Sequence, residues 1–199
     1  MEKDNEEWID EPIKLGIRPG NRISDVGDIG YWRNVYELKK TPILCIKNKH
    51  FLSAAKLIYS GIDNLSWLTR QHNKPDVEYN DFILFTDTYL LPDSGLTCNS
   101  NELYSARCGL LHCNIAESGI SRSGKSRHII YAFDNAPEEK GYDHIRPELR
   151  NKCVVIHIDK LNQAFQKSID RLNQTIAKEP DFADIIYKRS VKLYSWITN

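Results

Sequence analysis

Residues 99–113 read Asn-Ser-Asn-Glu-Leu-Tyr-Ser-Ala-Arg-Cys-Gly-Leu-Leu-His-Cys, and the fold and function of the chain depend on how this stretch is interpreted. Its apolar side chains recur at helical spacing, at Leu103, Ala106, Leu110 and Leu111. Asn99 or Ser100 can cap the first turn of such a helix. The stretch therefore predicts an amphipathic helix that packs through one side against other helices.

One arginine lies among the apolar side chains of this predicted helix. Arg107 falls at about 40° on a helical projection that starts from Leu103, which is inside the apolar side. A buried guanidinium is costly unless it is paired or reaches water. Arg107 therefore either forms a buried ion pair with Asp63 or Asp87, each on a neighbouring predicted helix, or is held in a cleft for an anion.

A histidine follows this arginine after five residues. His112 lies about 140° further round the helix than Arg107, so one straight helix is not expected to direct both side chains to a common point. They can converge near a frayed helix end, or across an interface where two copies of the helix meet about a twofold axis. Because a helix C-terminus favours protonated imidazole, His112 suits proton transfer near neutral pH, although it can also serve only as a cap.

Composition narrows the class of protein. The chain has 199 residues, 41% hydrophobic and 27% charged, which is typical of one globular domain or of a domain with an extension. Its 27 basic residues equal its 27 acidic residues, so a nucleic-acid surface must come from local clustering of charge. Five irregularly spaced cysteines do not predict a disulfide framework. With an acidic N-terminus and no long apolar run, we expect a cytoplasmic protein without a membrane segment.

Hydrophobic periodicity elsewhere predicts a mainly α fold. Besides residues 99–113, helices are predicted at about 51–70, 80–91, 159–177 and 181–197, although 80–91 can also be a strand. In the first of these, the apolar residues that repeat at helical spacing are Phe51, Ala55, Ile58, Ile62 and Leu65. Residues 31–46 can form a short helix or strand, broken at Pro42. β-Branched and aromatic runs at His128–Phe133 and Cys153–Ile158 predict two strands.

These elements predict one domain that follows an N-terminal segment. Residues 48–199 are expected to form a helical bundle with a small two-stranded β insertion at about 127–158. Residues 1–47 are expected to form an N-terminal extension of unknown role.

The stretch Gly119-Ile-Ser-Arg-Ser-Gly-Lys-Ser126 matches the phosphate-loop pattern G-x-x-x-x-G-K-[ST]. A phosphate loop joins a buried strand to a helix, so that backbone amides and the helix N-terminus converge on the phosphates. Here a predicted helix precedes the stretch and a predicted strand follows it, which is the reverse order. Val154–Asp159 is similar to the apolar run and Asp that hold magnesium in such enzymes, but Asp159 can equally cap the next helix.

The same region concentrates positive charge. Arg122, Lys125 and Arg127 lie within six residues and are followed by His128. Such a basic loop can hold phosphate without a nucleotide-binding fold. The simpler alternative is a flexible polar turn.

Thiol and imidazole side chains also allow a zinc hypothesis. The candidate ligands are Cys98, Cys108, His112 and Cys113. Cys108 and His112 share a helix face, but Cys113 points elsewhere and no C-x-x-C pair is present. Inert thiols are the simpler interpretation, and no metal is predicted.

The R-x4-H motif, Arg107 and His112, lies at the end of an amphipathic helix in a helical bundle. This arrangement is similar to the HEPN superfamily (higher eukaryotes and prokaryotes nucleotide-binding domain). Residues 103–133, LYSARCGLLHCNIAESGISRSGKSRHIIYAF, resemble a bacterial subgroup with RCG-L-H on this helix, then a loop of Ser, Arg, Gly and Lys and an IxYA-type strand. Residues 51–68, FLSAAKLIYSGIDNLSWL, resemble the first helix of that subgroup and place Asp63 near the motif. The resemblance covers about residues 50–195.

Many HEPN proteins are metal-independent endoribonucleases of toxin–antitoxin and antiphage systems, so the resemblance implies RNA as substrate, a homodimer with both motifs facing one groove, and no cofactor. The RNA 2′-hydroxyl would be the nucleophile, His112 the general base or acid, and Arg107 the group that stabilises the pentacoordinate phosphate. RNA backbone would be held by Arg122, Lys125 and Arg127. Support for the catalytic pair would come from Asp63, Cys108 and Ser118.

Two other functions remain as alternatives. The second is a non-catalytic HEPN module that binds a nucleotide or a partner protein, with Arg107 paired structurally. The third is a phosphate-loop nucleoside triphosphatase that uses Gly119–Ser126. As a toxin or antiphage effector, the protein would also have an antitoxin or defence-system partner protein.

Overall fold

The computed structural model describes residues 9–17, 25–71, 74–115 and 117–194. Parts of the predicted extension (residues 1–47), namely residues 1–8 and 18–24, lie outside this set. Helices account for 72% of the structure, and a parallel sheet of two strands accompanies them. The predicted mainly α class with two strands is therefore confirmed.

The chain forms two compact units, which are described separately. The first unit contains the described residues up to Lys40 and those from Ile169 onward. Its helical elements are α1 (Asp10–Lys14), the first part of α2 (Asp25–Lys47), the last part of α8 (Ile158–Lys178), α9 (Pro180–Ser190) and a 3-10 turn (Val191–Tyr194). The last helix was predicted to reach residue 197, which lies outside the described residues.

Polar contacts join the helices of this first unit. The Tyr31 hydroxyl donates a hydrogen bond to Asn173 Oδ1 at 2.7 Å. Lys39 Nζ lies 2.8 Å from Glu11 Oε1 and 2.5 Å from Asp170 Oδ1, so one ammonium group links three helices. The Lys39 side chain is only 23% exposed, and its ammonium group has an acceptor on each of the two other helices. These contacts favour one fixed arrangement of α1, α2 and α8 within the unit.

The predicted break at Pro42 is wrong, because α2 runs from Asp25 to Lys47 without interruption. A proline inside a helix removes one backbone hydrogen bond and crowds the preceding turn. This helix nevertheless buries Tyr31, Trp32 and Val35, each no more than 1% exposed. Tertiary packing of these side chains outweighs the local cost of the proline.

The second unit, Thr41–Ser168, contains the predicted central helices. Its main helices are α3 (Phe51–Thr69), α4 (Tyr79–Phe85) with a π-helical continuation (Thr86–Leu90), and α5 (Ser100–Cys113). Apolar positions predicted from periodicity are buried in it, among them Ile58, Ile62, Leu65, Leu103, Ala106 and Leu110. Helical periodicity therefore located this core correctly.

The sheet of the second unit pairs β1 (His128–Ala132) with β2 (Cys153–His157) in parallel, with His128 opposite Cys153 and Ala132 opposite His157. Parallel strands need a long crossover. Here the crossover contains α7 (Glu138–Gly141) and two 3-10 turns (Tyr142–His144 and Pro147–Lys152). A short helix, α6 (Gly119–Arg122), precedes β1. None of the helices in the described ranges has a stretch that is long and apolar enough to cross a bilayer.

A glycine lets the chain fold back closely across α5. Helix α5 ends at Asn114, which adopts the left-handed conformation with φ of 58°. A Cβ atom at Gly109 would lie 2.5 Å from the carbonyl oxygen of Ile115 and 2.8 Å from that of Glu117. Only glycine allows the backbone to approach this closely without a shift.

We therefore expect Gly109→Ala to lower the free energy of unfolding by about 1–3 kcal/mol, because its methyl group overlaps backbone oxygens. An ordinary glycine-to-alanine change inside a helix has the opposite sign. Gly119→Ala is the matched control, since no described heavy atom outside its own neighbourhood lies within 4 Å of its Cβ position. Thermal unfolding of both variants measures the difference, and equal midpoints would contradict the close approach.

Candidate functional site

The candidate site lies where α3 and α5 pack together. Local sequence fixes both ends of α5. At its start, the Glu102 N–H donates to Asn99 Oδ1 at 3.0 Å and the Asn99 N–H donates to Glu102 Oε2 at 2.9 Å, which forms a capping box. At its other end, the left-handed Asn114 places His112 in the last turn. Arg107 therefore lies in the middle of α5 and His112 near its C-terminus.

An ion pair between α5 and α3 dominates this site. Arg107 Nε donates to Asp63 Oδ2 at 2.7 Å, and Arg107 Nη2 lies 2.6 Å from the same oxygen. The two side chains are only 20% and 19% exposed. Of the two carboxylates that the sequence offered, the structure therefore selects Asp63 and not Asp87.

The remaining guanidinium nitrogen faces the histidine. Arg107 Nη1 lies 3.4 Å from His112 Nε2 and 3.9 Å from Cys108 Sγ. The expectation that one straight helix would not bring the two groups together is therefore wrong. Helical side chains lean toward the N-terminus, so the imidazole of His112 approaches Arg107, and the long arginine side chain spans the rest.

Burial and pairing set the electrostatics of the ion pair. Burial raises the pKa of the Asp63 carboxyl, although the hydrogen bond and charge of Arg107 oppose this change. Burial alone would lower the pKa of Arg107, but the hydrogen bond and charge of Asp63 outweigh it and raise that pKa. Arg107 Nε donates to Asp63 Oδ2 and Nη2 lies 2.6 Å from the same oxygen, so each group stabilises the charged form of the other.

Aromatic rings, which the sequence interpretation did not include, lie on another side of Arg107. The guanidinium carbon is 5.8 Å from the centre of the Tyr104 ring, within the range of a cation–π contact. Tyr104 itself packs edge-to-face against Tyr79 at 4.8 Å and Phe82 at 5.3 Å. The signal in the sequence was the spacing, since Tyr104 precedes Arg107 by three residues on one helix.

A second inter-helix contact, between a lysine and an asparagine, was also missed. Lys56 Nζ on α3 donates to Asn114 Oδ1, two residues beyond His112. It lies two helical turns before Asp63 on α3. Lys56 therefore adds a positive charge near the end of α5 at which His112 is exposed.

Ser118 and Cys108 occupy different environments. Ser118 is buried, caps α6 through its hydroxyl oxygen, and lies 2.6 Å from Ser105 Oγ. It therefore holds α6 on α5. Cys108 is half-buried beside the Arg107 guanidinium.

The three cations of the predicted basic loop differ in their contacts. Arg127 Nε lies 2.5 Å from Glu102 Oε1, and its Nη2 donates to Glu102 Oε2 at 3.1 Å and to the Thr97 carbonyl at 3.0 Å. Arg122 lies 3.7 Å from Glu117 at the surface. Lys125 is exposed and forms no ion pair with any residue that the structure describes. Arg127 therefore has a structural partner that the sequence interpretation did not anticipate.

Gly119–Ser126, the stretch that matches a phosphate loop, folds as the short helix α6 and a turn. Helix α5 precedes it and β1 follows it, which is the order predicted from the sequence and the reverse of a phosphate loop. Its Gly124 has φ of 76°, which suits a glycine turn.

The candidate thiols are scattered. Burial raises the pKa of Cys98 to about 12, so this thiol is inert. Cys113 is exposed. Across residues 9–17, 25–71, 74–115 and 117–194, no three His, Cys, Asp or Glu side chains are grouped so that they could hold a metal ion.

The chain was compared with models of known protein families, with curated proteins and with solved structures, and none of them matches it. The family resemblance therefore depends on the residues quoted above, and the contacts of Arg107 and His112 are the observations from which a function can be inferred.

The Arg127–Glu102 pair generates a prediction about stability. Glu102 is 3% exposed, so Arg127→Ala leaves a buried carboxylate whose one remaining partner in the described part of the chain is the Asn99 N–H. Loss of its partner is costly for the buried carboxylate, so we expect the free energy of unfolding to fall by about 1–3 kcal/mol. A larger fall is not expected, because the Arg127 side chain is 41% exposed. Lys125→Ala is the control and should change it by less than about 0.5 kcal/mol. Denaturant unfolding measures both, and equal effects would argue against the buried pair.

Proposed function

We propose that this protein is a metal-independent RNA endonuclease of the HEPN type, which acts in the cytoplasm as a toxin or antiphage effector. The observation that carries the proposal is the distance of 3.4 Å between Arg107 Nη1 and His112 Nε2. A cationic group that can stabilise phosphate and an imidazole that can move a proton lie side by side, which is what cleavage of RNA requires.

The ion pair with Asp63 supports this proposal because it orients the arginine. Asp63 engages Nε and Nη2, so the guanidinium plane is fixed and Nη1 is directed toward His112. His112 itself is exposed, so a phosphodiester can approach it from solvent. Preorganised charge of this kind stabilises a transition state without rearrangement during the reaction.

The proposed reaction uses the nucleophile of the substrate. His112 takes the proton of the 2′-hydroxyl, whose oxygen attacks the adjacent phosphorus. Arg107 stabilises the negative charge of the pentacoordinate phosphate, and the proton that His112 has taken up passes to the 5′-oxygen as its bond to phosphorus breaks. The products are a 2′,3′-cyclic phosphate and a 5′-hydroxyl, and DNA, which lacks the 2′-hydroxyl, is not cut. Neither a cofactor nor a metal ion takes part.

The surroundings of the site suit a polyanion. Lys56 lies near His112, and Arg122 and Lys125 are exposed on the segment that follows α5. In the proposed homodimer two R-x4-H motifs face one groove, and these cations hold RNA backbone beside it. An antitoxin or other defence-system protein would control the activity.

A second candidate function is favoured by the same ion pair. A guanidinium that contacts one half-buried carboxylate through two of its nitrogens is also what a purely structural pair looks like. On this alternative the protein is a non-catalytic HEPN module that binds a nucleotide or a partner protein. The phosphate-loop triphosphatase is third, because Gly119–Ser126 lies between a helix and a strand in the wrong order.

Cleavage of RNA is the decisive test. We expect the purified protein to cut single-stranded or structured RNA equally well with and without EDTA. His112→Ala should lower the rate about 10²–10⁴-fold because the proton acceptor is lost, and Arg107→Ala should also lower it strongly. His144→Ala is the control, since His144 is an exposed histidine on the crossover between the strands. Product analysis should detect the cyclic phosphate.

The other outcomes distinguish the alternatives. Folded wild-type protein that cuts none of these RNAs would favour the non-catalytic module. Cleavage that EDTA abolishes would contradict the metal-independent mechanism. ATP hydrolysis that is lost in Lys125→Ala would favour the triphosphatase.

Asp63 offers a separate prediction about orientation. Asp63→Asn keeps an acceptor but removes the charge that holds Arg107, so kcat should fall about 10–100-fold with little change in KM. Asp87→Asn is the control, because this exposed carboxylate was the other candidate partner in the sequence. Steady-state kinetics on one RNA would measure both, and an unchanged kcat in Asp63→Asn would show that the ion pair does not position Arg107.

A further inference from the structure

Among the residues that the structure describes, no strand pairs with one edge of β1. Within the described part of the chain the sheet has two strands, and β1 pairs only with β2. An edge strand presents a row of backbone N–H and C=O groups that another chain can pair with. Five residues, His128–Ala132, form this edge, which is about 16 Å long.

A groove of about 390 Å³ follows this edge. Ile129 and Tyr131 line it, and so do His128 and Ile130. Successive side chains of a strand point to opposite faces of a sheet, so these two pairs belong to different faces. Since residues from both faces line one groove, the groove runs along the free edge of β1 and not across either face. None of the residues of β2, Cys153–His157, lines it.

The opposite wall of the groove is a helix. The first turns of α3 supply Phe51, Leu52 and Ala55, while the floor contains Leu110 of α5 and Ile158 of α8. All five side chains are apolar or aromatic, and Leu110 and Ile158 are at most 2% exposed. The groove therefore offers an apolar slot between an edge strand and a helix.

Two large apolar side chains at the rim of this groove face solvent. Leu52 is 51% exposed and Phe133 is 48% exposed. The Phe133 ring stacks on Phe51 at 4.8 Å, so it is held at the rim. Exposed apolar surface that is grouped around a groove is typical of a binding site.

We propose that this groove binds an extended peptide segment of a partner protein, which adds as a strand to the free edge of β1. Backbone hydrogen bonds to β1 provide affinity, and alternate apolar side chains of the peptide enter the slot beside α3. A strand with a two-residue repeat places two or three side chains along five residues, and a groove of this volume is large enough for them. The inference does not depend on RNA cleavage.

The shape of the groove favours a lone peptide over a second copy of this chain. Edge-to-edge pairing of two copies would require both β1 edges to meet. Each edge lies in a groove beside its own α3, so the helix of each copy blocks the approach of the other. A single extended peptide has no helix beside its own strand, so it can enter the groove between β1 and α3.

Charge indicates which end of the peptide is acidic. Lys125, exposed and without an ion pair among the described residues, lies three residues before β1 begins. At the opposite end, Lys49 and Asp134 lie 3.7 Å apart and neutralise each other. The peptide is therefore expected to carry an acidic residue at the end that lies beside His128.

Selection of peptides tests the proposal with a defined probe. A phage-displayed library of random eight-residue peptides is selected on the intact wild-type protein. We expect enriched peptides to have apolar residues at alternating positions and an acidic residue near one end. Leu52→Asp places a charge in the slot and should weaken their binding about 10-fold or more. Leu84→Asp is the matched control, because Leu84 on α4 is also 51% exposed and lies outside the groove lining.

A second measurement uses only wild-type protein, so a folding defect in a variant cannot obscure the result. The most enriched peptide is synthesised with an N-methyl group at each backbone amide in turn. Strand addition requires that methylation at every second position abolishes binding, since alternate N–H groups face β1. Hydrogen exchange of the amides in β1 should slow when the unmethylated peptide binds.

Several results would overturn the proposal. The first is that no enriched peptide depends on Leu52 for binding. The second is that the effect of methylation does not alternate along the peptide. The third is a wild-type dimer that dissociates in Leu52→Asp, since this result would identify a second copy of the chain as the occupant. Loss of RNA binding in Leu52→Asp without any peptide binding would assign the groove to RNA. Loss of RNA cleavage in His112→Ala bears only on the nuclease, so the two proposals fail separately.

Discussion

The structure of the second unit depends on one constraint, which is that a guanidinium placed among apolar side chains must have a partner. Arg107 lies on the side of α5 that also carries Leu103 and Ala106, both of which are buried. Asp63 on α3 supplies the partner through two contacts with one carboxylate oxygen. Because an unpaired buried charge is strongly unfavourable, this pair fixes how α3 and α5 lie along each other.

The same constraint connects stability with chemistry. An arginine that used its whole guanidinium for Asp63 would be structural and nothing more. Here Nε and Nη2 are engaged, while Nη1 approaches the imidazole of His112. Burial holds the arginine rigid and exposure of His112 leaves the pair open to solvent on one side. Arg107 therefore contacts both a half-buried carboxylate and an exposed imidazole, which is the physical basis of the proposed nuclease site. The same contacts explain why a purely structural ion pair is the principal alternative.

Helix α5 links this site to the proposed peptide groove. Leu110 on the floor of the groove follows Arg107 by three residues, or about one helical turn. Helix α3 also links the two, because it carries both Leu52 of the groove and Asp63 of the ion pair. The parallel pairing of β1 with β2 occupies one edge of β1 and leaves the other beside α3. Two helices that fix the arginine therefore also form the groove, so a bound partner would contact the helices that carry the site without covering Arg107 itself.

The sequence by itself determined the helices and their buried faces, because helical periodicity is a local property that a contiguous segment carries. It located α3, α5 and both strands, narrowed the cap of α5 to Asn99 or Ser100, and identified Arg107 as a charge among apolar side chains that needs a partner. It misjudged Pro42, where burial of distant aromatic side chains overrides a local rule. Only the tertiary structure decided that Asp63 pairs with Arg107, that Glu102 pairs with Arg127 and that His112 approaches the guanidinium. The two ion pairs join residues 44 and 25 positions apart, so they depend on the path of the chain, which no local pattern records. The approach of His112 is local to α5, but it depends on the orientation that Asp63 gives to the guanidinium.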